Sequence, residues 1–302
     1  ETLNQPGPLR KSASGFLLKY PDAAISPLVH LLGEQERGDF AAGILPLFGP
    51  EVLAPLVSGL DDQRPTARER AQAIIATLVR QSEEQDAVLR EIVHLFTLPP
   101  PPRAHEILLE VLTGELADVS IPSLLEGLED AHLIEDVSHA FARLARKGPQ
   151  QKIALAGLVQ ALHKEERRRG AEAALTRIGA PAVPIVGALI TEDEPGVARA
   201  AQHILRDIGV DALPFIWAAQ SDTSNPAKRE AAQDIFQSMR TEVIKDELVS
   251  LLISDQPNDI AMAISLLLAR IHDEASKHYA EREMIPELFD YIQTHSEEEL
   301  NL

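Results

Sequence analysis

Apolar residues recur along this chain in a helical phrase, and residues 170–217 hold two clear copies of it. In the first copy Ala171, Leu175 and Ile178 follow one another at spacings of four and three. Such spacing places them on one face of an amphipathic helix. Each copy therefore predicts a first helix whose buried face is built from small and branched side chains.

Glycine and proline mark the ends of these predicted helices. Gly179 and Gly209 predict helix ends, because glycine readily takes the left-handed conformation that closes a helix. Pro184 and Pro214 then predict the starts of second helices, because the first turn of a helix needs no N–H from proline. The repeating unit is thus a helical hairpin of about 30 residues, a length typical of solenoid repeats.

The second helix of the hairpin recurs along most of the chain. Its pattern is an apolar pair, one free position, and then a second pair that is mostly apolar. We count about nine units within the range typical of solenoids, and their first apolar pairs are Leu28-Val29, Leu56-Val57, Ile92-Val93, Leu124-Leu125, Leu158-Val159, Ile185-Val186, Phe215-Ile216, Leu248-Val249 and Leu288-Phe289.

The phrase from Arg168 to Gly179, followed by Ala182-Val183-Pro184, resembles the HEAT repeat in the short form associated with phycobilin lyases. The resemblance covers roughly residues 8–292, and it implies an all-α fold, a right-handed α-α superhelix. Composition agrees, because the chain has 45% hydrophobic but only 4% aromatic residues, and no alternating run predicts a strand.

We expect a flexible tail at 1–7, one solenoid domain at 8–295 and an acidic tail at 296–302. A proline run at 98–103 predicts a stiff spacer, with an SH3-type ligand as the alternative.

The free position of each second helix points away from the apolar face, because it lies about 180° around the helix. We call these positions the outward row, and the resemblance implies that the second helices line the concave side of the solenoid. The row consists of His30, Ser58, His94, Glu126, Gln160, Gly187, Trp217, Ser250 and Asp290. From it we predict the partner-binding residues Trp217, Glu126, Asp290, Gln160, His94 and His30.

Trp217 is the only tryptophan in the chain and the only large apolar member of the outward row. Two interpretations are open. An exposed tryptophan on a binding surface is typical of an interaction hot spot. Alternatively, Trp217 folds sideways into the gap left by Gly187 and the small residues Ala218 and Ala219.

The net charge of the chain and its supply of metal-binding side chains narrow the range of functions that it can have. The formal net charge of −19 disfavours nucleic acid and favours a basic partner. Glu126 and Asp290 form either a solvated acidic face or, with nearby acids, an attractor of basic segments. The run Arg167-Arg168-Arg169 favours local salt bridges, with a phosphate or nucleic-acid patch as the alternative. Cysteine is absent, and His30 and His94 lie two units apart, so we predict no metal site and no cofactor. The acids near Glu126 in the sequence are Glu129, Asp130, Glu135 and Asp136.

The sequence therefore favours a non-catalytic scaffold that binds a protein or peptide on its concave face. A lyase-type or small-molecule-binding protein using the same groove is the alternative, and a nucleic-acid-binding solenoid is the second alternative. The His-Glu dyad of HEAT-like di-iron hydroxylases occurs once here, at His105-Glu106, so that site cannot be built. We expect a cytoplasmic protein without membrane insertion, because no apolar run reaches the roughly 18 residues of a span. The oligomeric state stays open.

Overall fold

A computed structural model of the chain describes residues 8–97, 101–146, 148–252, 254 and 256–270. Every regular element in these ranges is a helix. The α-helices are α1 Pro8–Leu17, α2 Pro21–Leu31, α3 Gln35–Ile44, α4 Leu53–Leu60, α5 Pro65–Gln81, α6 Gln85–His94, α7 Pro102–Thr113, α8 Ile121–Gly127, α9 Ile134–Leu144, α10 Gln150–Leu162, α11 Glu165–Ile178, α12 Val183–Gly187, α13 Pro195–Ile208, α14 Leu213–Ser221, α15 Pro226–Ser238, α16 Thr241–Leu252 and α17 Pro257–Arg270. Short 3-10 turns cover Leu45–Val52, Leu95–Thr97, Ala180–Ala182 and Gly209–Ala212.

The helices alternate as first and second members of hairpins, which confirms the predicted all-α solenoid. Odd-numbered helices are first helices and even-numbered helices are second helices. The described residues contain eight complete hairpins and α17, the first helix of the ninth. The predicted second helix of that hairpin, which begins near Leu288, lies outside the described residues.

The hairpins stack within two compact units, Glu1–Ala174 (unit 1) and Leu175–Leu302 (unit 2). In unit 1, first helices α3, α5, α7 and α9 contact one another in order, and α8 contacts both α6 and α10. In unit 2, α13, α15 and α17 form the first-helix layer, and α12 contacts α14. A lone hairpin could not bury its apolar stripe, so each hairpin covers the next. The extent of the predicted solenoid domain, 8–295, stays a prediction.

Glycines follow the ends of three first helices, at the predicted Gly179 and Gly209 and also at Gly49. Gly49, Gly179 and Gly209 have φ of 74°, 73° and 75°, a region that side chains with a Cβ rarely adopt. A 3-10 turn surrounds or follows each of these glycines and leads into the second helix. The proline run lies mostly outside the described residues, but Pro101 has polyproline-II dihedral angles and precedes α7.

One stretch, Gln35–Leu60, matches a membrane span by length and composition, whereas we expected none. It does not form one straight helix, because Gly49 has φ 74° and ψ −153° between α3 and α4. The two helices belong to one hairpin, and both contact α5. This apolar stretch therefore contributes to the core of unit 1.

The apolar pairs of the second helices form the core as predicted, with one correction. Leu56, Ile92, Leu158 and Ile216 are each fully buried. Ala188 was expected on the buried face of its helix, but it is exposed. Ala188 lies one helical turn after the exposed Pro184, and the equivalent Ala218 of α14 is exposed as well, so this position lies at the edge of the apolar face.

In two hairpins an arginine near the start of the first helix connects the hairpin to the turn before it. The Arg68 guanidinium donates hydrogen bonds to the carbonyls of Asp62 (2.8 Å) and Gln63 (3.0 Å). Arg168 Nε donates to the carbonyl of Leu162 at 2.7 Å. These carbonyls lie at or just after the C-terminal end of a second helix, where they lack partners within the helix. The repeat arginine therefore satisfies them.

Candidate functional site

The outward row faces solvent over most of its length. Six of its eight described members are exposed, as the 180° geometry predicts. Asp290, the ninth, lies outside the described residues. The exposed members are His30, Ser58, His94, Glu126, Gln160 and Ser250.

In unit 2 two members of the outward row, Gly187 and Trp217, are not exposed. Gly187 is buried, because the Phe215 ring of α14 lies directly against it, and a Cβ added there would overlap the ring. The space at Gly187 is thus filled by Phe215, and the choice between the two interpretations of Trp217 stays a prediction. Trp217 itself is half-buried. Lys228 Nζ covers Phe215 on its other flank, 5.4 Å from the ring centroid.

Because α12 contacts α14, we group Trp217 with four exposed apolar residues of these two helices and call the group the Trp217 patch. Pro184 and Ala188 lie one turn apart on α12 and its C-cap, and Pro214 and Ala218 lie at equivalent positions of α14. All four are exposed. Exposed carboxylates follow α12 and precede α14, so the patch carries acidic groups at its ends, namely Glu192, Asp193 and Asp211.

The predicted acidic face around Glu126 is largely neutralised by neighbouring repeats. Glu126 pairs with Arg90 of α6 at 3.3 Å, and Glu129 pairs with Arg167 of α11 at 2.6 Å. Asp136 lies 2.8 Å from His105 Nε2. Three carboxylates of this group thus have a basic neighbour from an adjacent repeat, and the attraction of a basic segment by the group stays a prediction. The pairing of Arg167 agrees with the predicted local salt bridging of the arginine run.

The dyad His105-Glu106 joins α7 to α9. His105 faces Asp136, and Glu106 forms an ion pair with Arg143. The Phe96 ring packs against the imidazole with a centroid distance of 5.2 Å. The dyad thus serves the contact between repeats. Among the described residues, no group of three metal-ligating side chains occurs.

The backbone carbonyl of His30 contacts an ion pair that connects two hairpins. Arg64, in the turn after α4, donates to Asp62 Oδ2 at 2.6 Å and to the His30 carbonyl at 3.1 Å. The hydrogen bond from the Arg64 side chain lowers the pKa of Asp62 from 3.8 to about 2, although partial burial opposes this. The ionised carboxylate therefore holds Arg64 in place to bind the C-terminal end of α2.

This ion pair predicts an acid-sensitive contribution to stability. Because the pKa of Asp62 is lower in the folded chain, its contribution is present above about pH 4 and is lost as the pH falls toward 2. We expect Asp62→Asn to lower the free energy of unfolding at pH 7 by about 1 kcal/mol after solvent screening. The difference from wild type should be small near pH 2 and vanish below it. Urea unfolding across this range measures it, with exposed Asp61→Asn as the matched control, and equal effects of both changes would contradict the assignment.

Sequence reasoning missed a groove in unit 1. It lies between the 3-10 turn before α4 and the start of α6, has a volume of about 610 Å³, and is here called the α4–α6 groove. A smaller cavity of about 460 Å³ adjoins the same loop. The acidic pair Glu83-Glu84 is visible in the sequence. The sequence does not show that Glu51 lies near this pair, because that proximity depends on how the repeats stack. The groove is lined by Pro50, Glu51, Ser82, Glu83, Glu84, Ala87, Val88 and Glu91.

Comparison with known proteins assigns no family and no function to the chain. No family model matches the chain, and no curated protein matches it. Among solved structures, the chain is similar to one of the Pds5–Scc1 complex at 14% identity, over 84% of this chain and 51% of that chain, with a TM-score of 0.42. It is also similar to Kap121p bound to Pho4p (15% identity, 97% of this chain, 39% of that chain, TM-score 0.32). An engineered protein matches at 17% identity over 89% of this chain and 82% of that chain, with a TM-score of 0.25.

The chain spans about half or less of the two natural proteins that it resembles. At such low identity these similarities concern the helical solenoid fold alone. Membership of the short phycobilin-lyase-type repeat family stays a prediction.

Proposed function

We propose that this protein is a non-catalytic scaffold that binds a protein or peptide segment on the outward face of its second helices. The observation that carries the proposal is the Trp217 patch. It joins a half-buried tryptophan to four exposed apolar side chains on two adjacent repeats. Exposed tryptophans held by a rigid surround are typical hot spots of protein interfaces.

The surround of Trp217 supports an anchoring role. Ile216 is fully buried and Phe215 packs on Gly187, so the two residues that precede the indole along the chain are held by the core. A backbone held in this way leaves little conformational freedom to lose on binding, which favours affinity. The exposed Asp211, Glu192 and Asp193 at the ends of the patch favour a partner with basic residues beside its apolar anchor.

The other members of the predicted site take part in the proposal to different degrees. Gln160, His94 and His30 are exposed and available for polar contacts. Glu126 is engaged with Arg90, so we assign it a positioning role within the repeat stack rather than a steering role. A cytoplasmic location remains part of the proposal, as does the absence of membrane insertion.

We expect Trp217→Ala to weaken binding of genuine partners by about 30-fold, the loss typical of a hot-spot residue. The test is a quantitative pull-down followed by titration of each recovered partner. Because Trp217 is the only tryptophan, its fluorescence also reports binding, and a blue shift is expected when a partner covers the indole.

The matched control is Ile264→Ala, which removes an exposed apolar side chain from α17 in the same unit. Two results together would show that Trp217 does not belong to the interface. Wild type and both variants would recover every partner equally, and the tryptophan emission of the wild type would not change when a partner is added. A ligand that copurifies with the protein and binds equally well to Trp217→Ala would instead favour the small-molecule alternative.

A further inference from the structure

We propose that Gly187 is a positioning residue for the Trp217 indole and that it acts through the ring of Phe215. The ring lies against α12 at Gly187 and so sets how closely α14 approaches α12. Trp217 follows Phe215 by two residues on α14, so the same contact sets how far the indole projects. The inference rests on the proposed function for one consequence alone, which is that partner binding depends on Gly187.

Gly187 and Phe215 both differ in size from the residues at the corresponding positions of the other hairpins. Gly187 is the smallest member of the outward row and the only glycine in it. Phe215 is the first residue of the next apolar pair, a position that holds leucine or isoleucine in the other eight units. The smallest outward residue therefore meets the largest first residue of an apolar pair. Close packing of two helices requires such an exchange of volume between facing positions.

The contact leaves no room for a side chain at position 187. A Cβ added to Gly187 would overlap Cε2 of the Phe215 ring and would lie 2.5 Å from Cζ and 2.9 Å from Cδ2. An ordinary contact between two carbon atoms needs about 3.5–4.0 Å, so an alanine methyl group requires a displacement of about 1 Å. The methyl group cannot rotate away from the ring, because the backbone fixes the direction of a Cβ.

The Phe215 ring is also held by the next hairpin. Lys228 Nζ of α15 lies over the ring, 5.4 Å from its centroid, which is a favourable arrangement for a cation and an aromatic face. The edge of the ring thus meets α12 while its face meets α15. Ile216, which lies between Phe215 and Trp217 in the chain, is fully buried. We therefore expect α14 to move with the ring when position 187 is filled, and the indole of Trp217 to move with α14.

The experiment compares wild type with Gly187→Ala in the full chain and measures the fluorescence of Trp217 without any partner. Trp217 is the only tryptophan, so its emission maximum and its quenching by acrylamide report this one indole. Looser packing around α14 lets solvent reach more of the half-buried indole, so we expect red-shifted emission and stronger quenching in Gly187→Ala. Partner binding should weaken about tenfold, which is less than the loss expected for Trp217→Ala.

Gly170→Ala is the matched control, because Gly170 is also buried in a helix and its added Cβ would lie 2.5 Å from the carbonyl oxygen of Leu128. Both residues belong to unit 1, so this change should lower stability and leave the fluorescence of Trp217 as in wild type. A rescue variant combines Gly187→Ala with Phe215→Leu, which removes Cε2 and Cζ, the two ring atoms nearest to the added methyl group. It should restore quenching and partner binding to within about twofold of wild type.

Wild-type emission and quenching in folded Gly187→Ala would overturn the proposal, because the ring would then have moved without the indole. An equal change in Gly170→Ala would also overturn it, since loss of stability alone would explain the effect. A double variant that behaves like Gly187→Ala would contradict it as well, because the effect would not pass through Phe215.

If Gly187→Ala does not fold, Phe215→Leu alone is the test. The space that this change opens at Gly187 should loosen α14 and strengthen the quenching of Trp217, and unchanged quenching would contradict the positioning role. These fluorescence measurements need no partner. They are therefore separate from failure of the proposed function, in which Trp217→Ala leaves every partner bound.

Discussion

Replacement of Phe141 by alanine is expected to lower the free energy of unfolding by about 3–5 kcal/mol, the largest single effect that we predict. The Phe141 side chain is fully buried in α9, which contacts α7, α8 and α10. Removing the ring leaves a cavity between repeats, because stacked helices relax only partly into such a space. Urea unfolding of wild type and Phe141→Ala measures the difference.

The loss should also be local. Repeats in a solenoid are coupled mainly to their nearest neighbours. Hydrogen exchange should therefore speed up in α7 to α10 more than in α13 to α15. Ile153→Ala is the matched control, because Ile153 is 60% exposed on α10. Its effect should stay within about 0.5 kcal/mol, and a Phe141→Ala effect of that size would mean that the ring does not support the repeat stack.

Two glycine-to-alanine changes should shift stability in opposite directions. Gly170 of α11 is buried, and a Cβ there would come within 2.5 Å of the Leu128 carbonyl oxygen and 2.8 Å of Leu128 Cβ. Because the nearest atom belongs to the backbone, it cannot simply rotate away. We expect Gly170→Ala to cost about 1–3 kcal/mol, despite the roughly 1 kcal/mol that alanine gains in a helix.

Gly43 provides the matched control, since it is exposed near the end of α3 and no atom lies within 4 Å of its added Cβ. There the helix preference acts alone, so Gly43→Ala should raise the free energy of unfolding by about 0.5–1 kcal/mol. Thermal unfolding and urea unfolding both test the signs. A stabilising Gly170→Ala would show that α11 does not pack closely on Leu128.

The repeat phrase carries its information within a single hairpin, and this is why it predicts so much of the fold. Gly179 and Gly209 end their helices because the required backbone conformation is local. His94 and Gln160 face outward because the helical period alone sets their direction. Ala188 was predicted wrongly because its position lies at the edge of the apolar face, where the equivalent Ala218 of α14 is exposed as well.

The candidate site was predicted less completely, because its chemistry depends on neighbours from other repeats. Glu126 appeared free in the sequence, but Arg90 reaches it from 36 residues away. Phe215, not Trp217, fills the space at Gly187. In both cases periodicity specifies which way a side chain leaves its helix, but not which side chain of the next repeat meets it.

The sequence by itself determined the helical hairpin, its approximate number of copies, the glycine stops and the direction of the outward row. Each of these follows from backbone preferences and from a period of 3.6 residues, which act over one or two turns. Only the tertiary structure decided which carboxylates are neutralised, how Trp217 is exposed and where the α4–α6 groove opens. Those features depend on the small rotation and translation between stacked repeats. Arginines 31 to 38 residues away therefore pair with some of the acids.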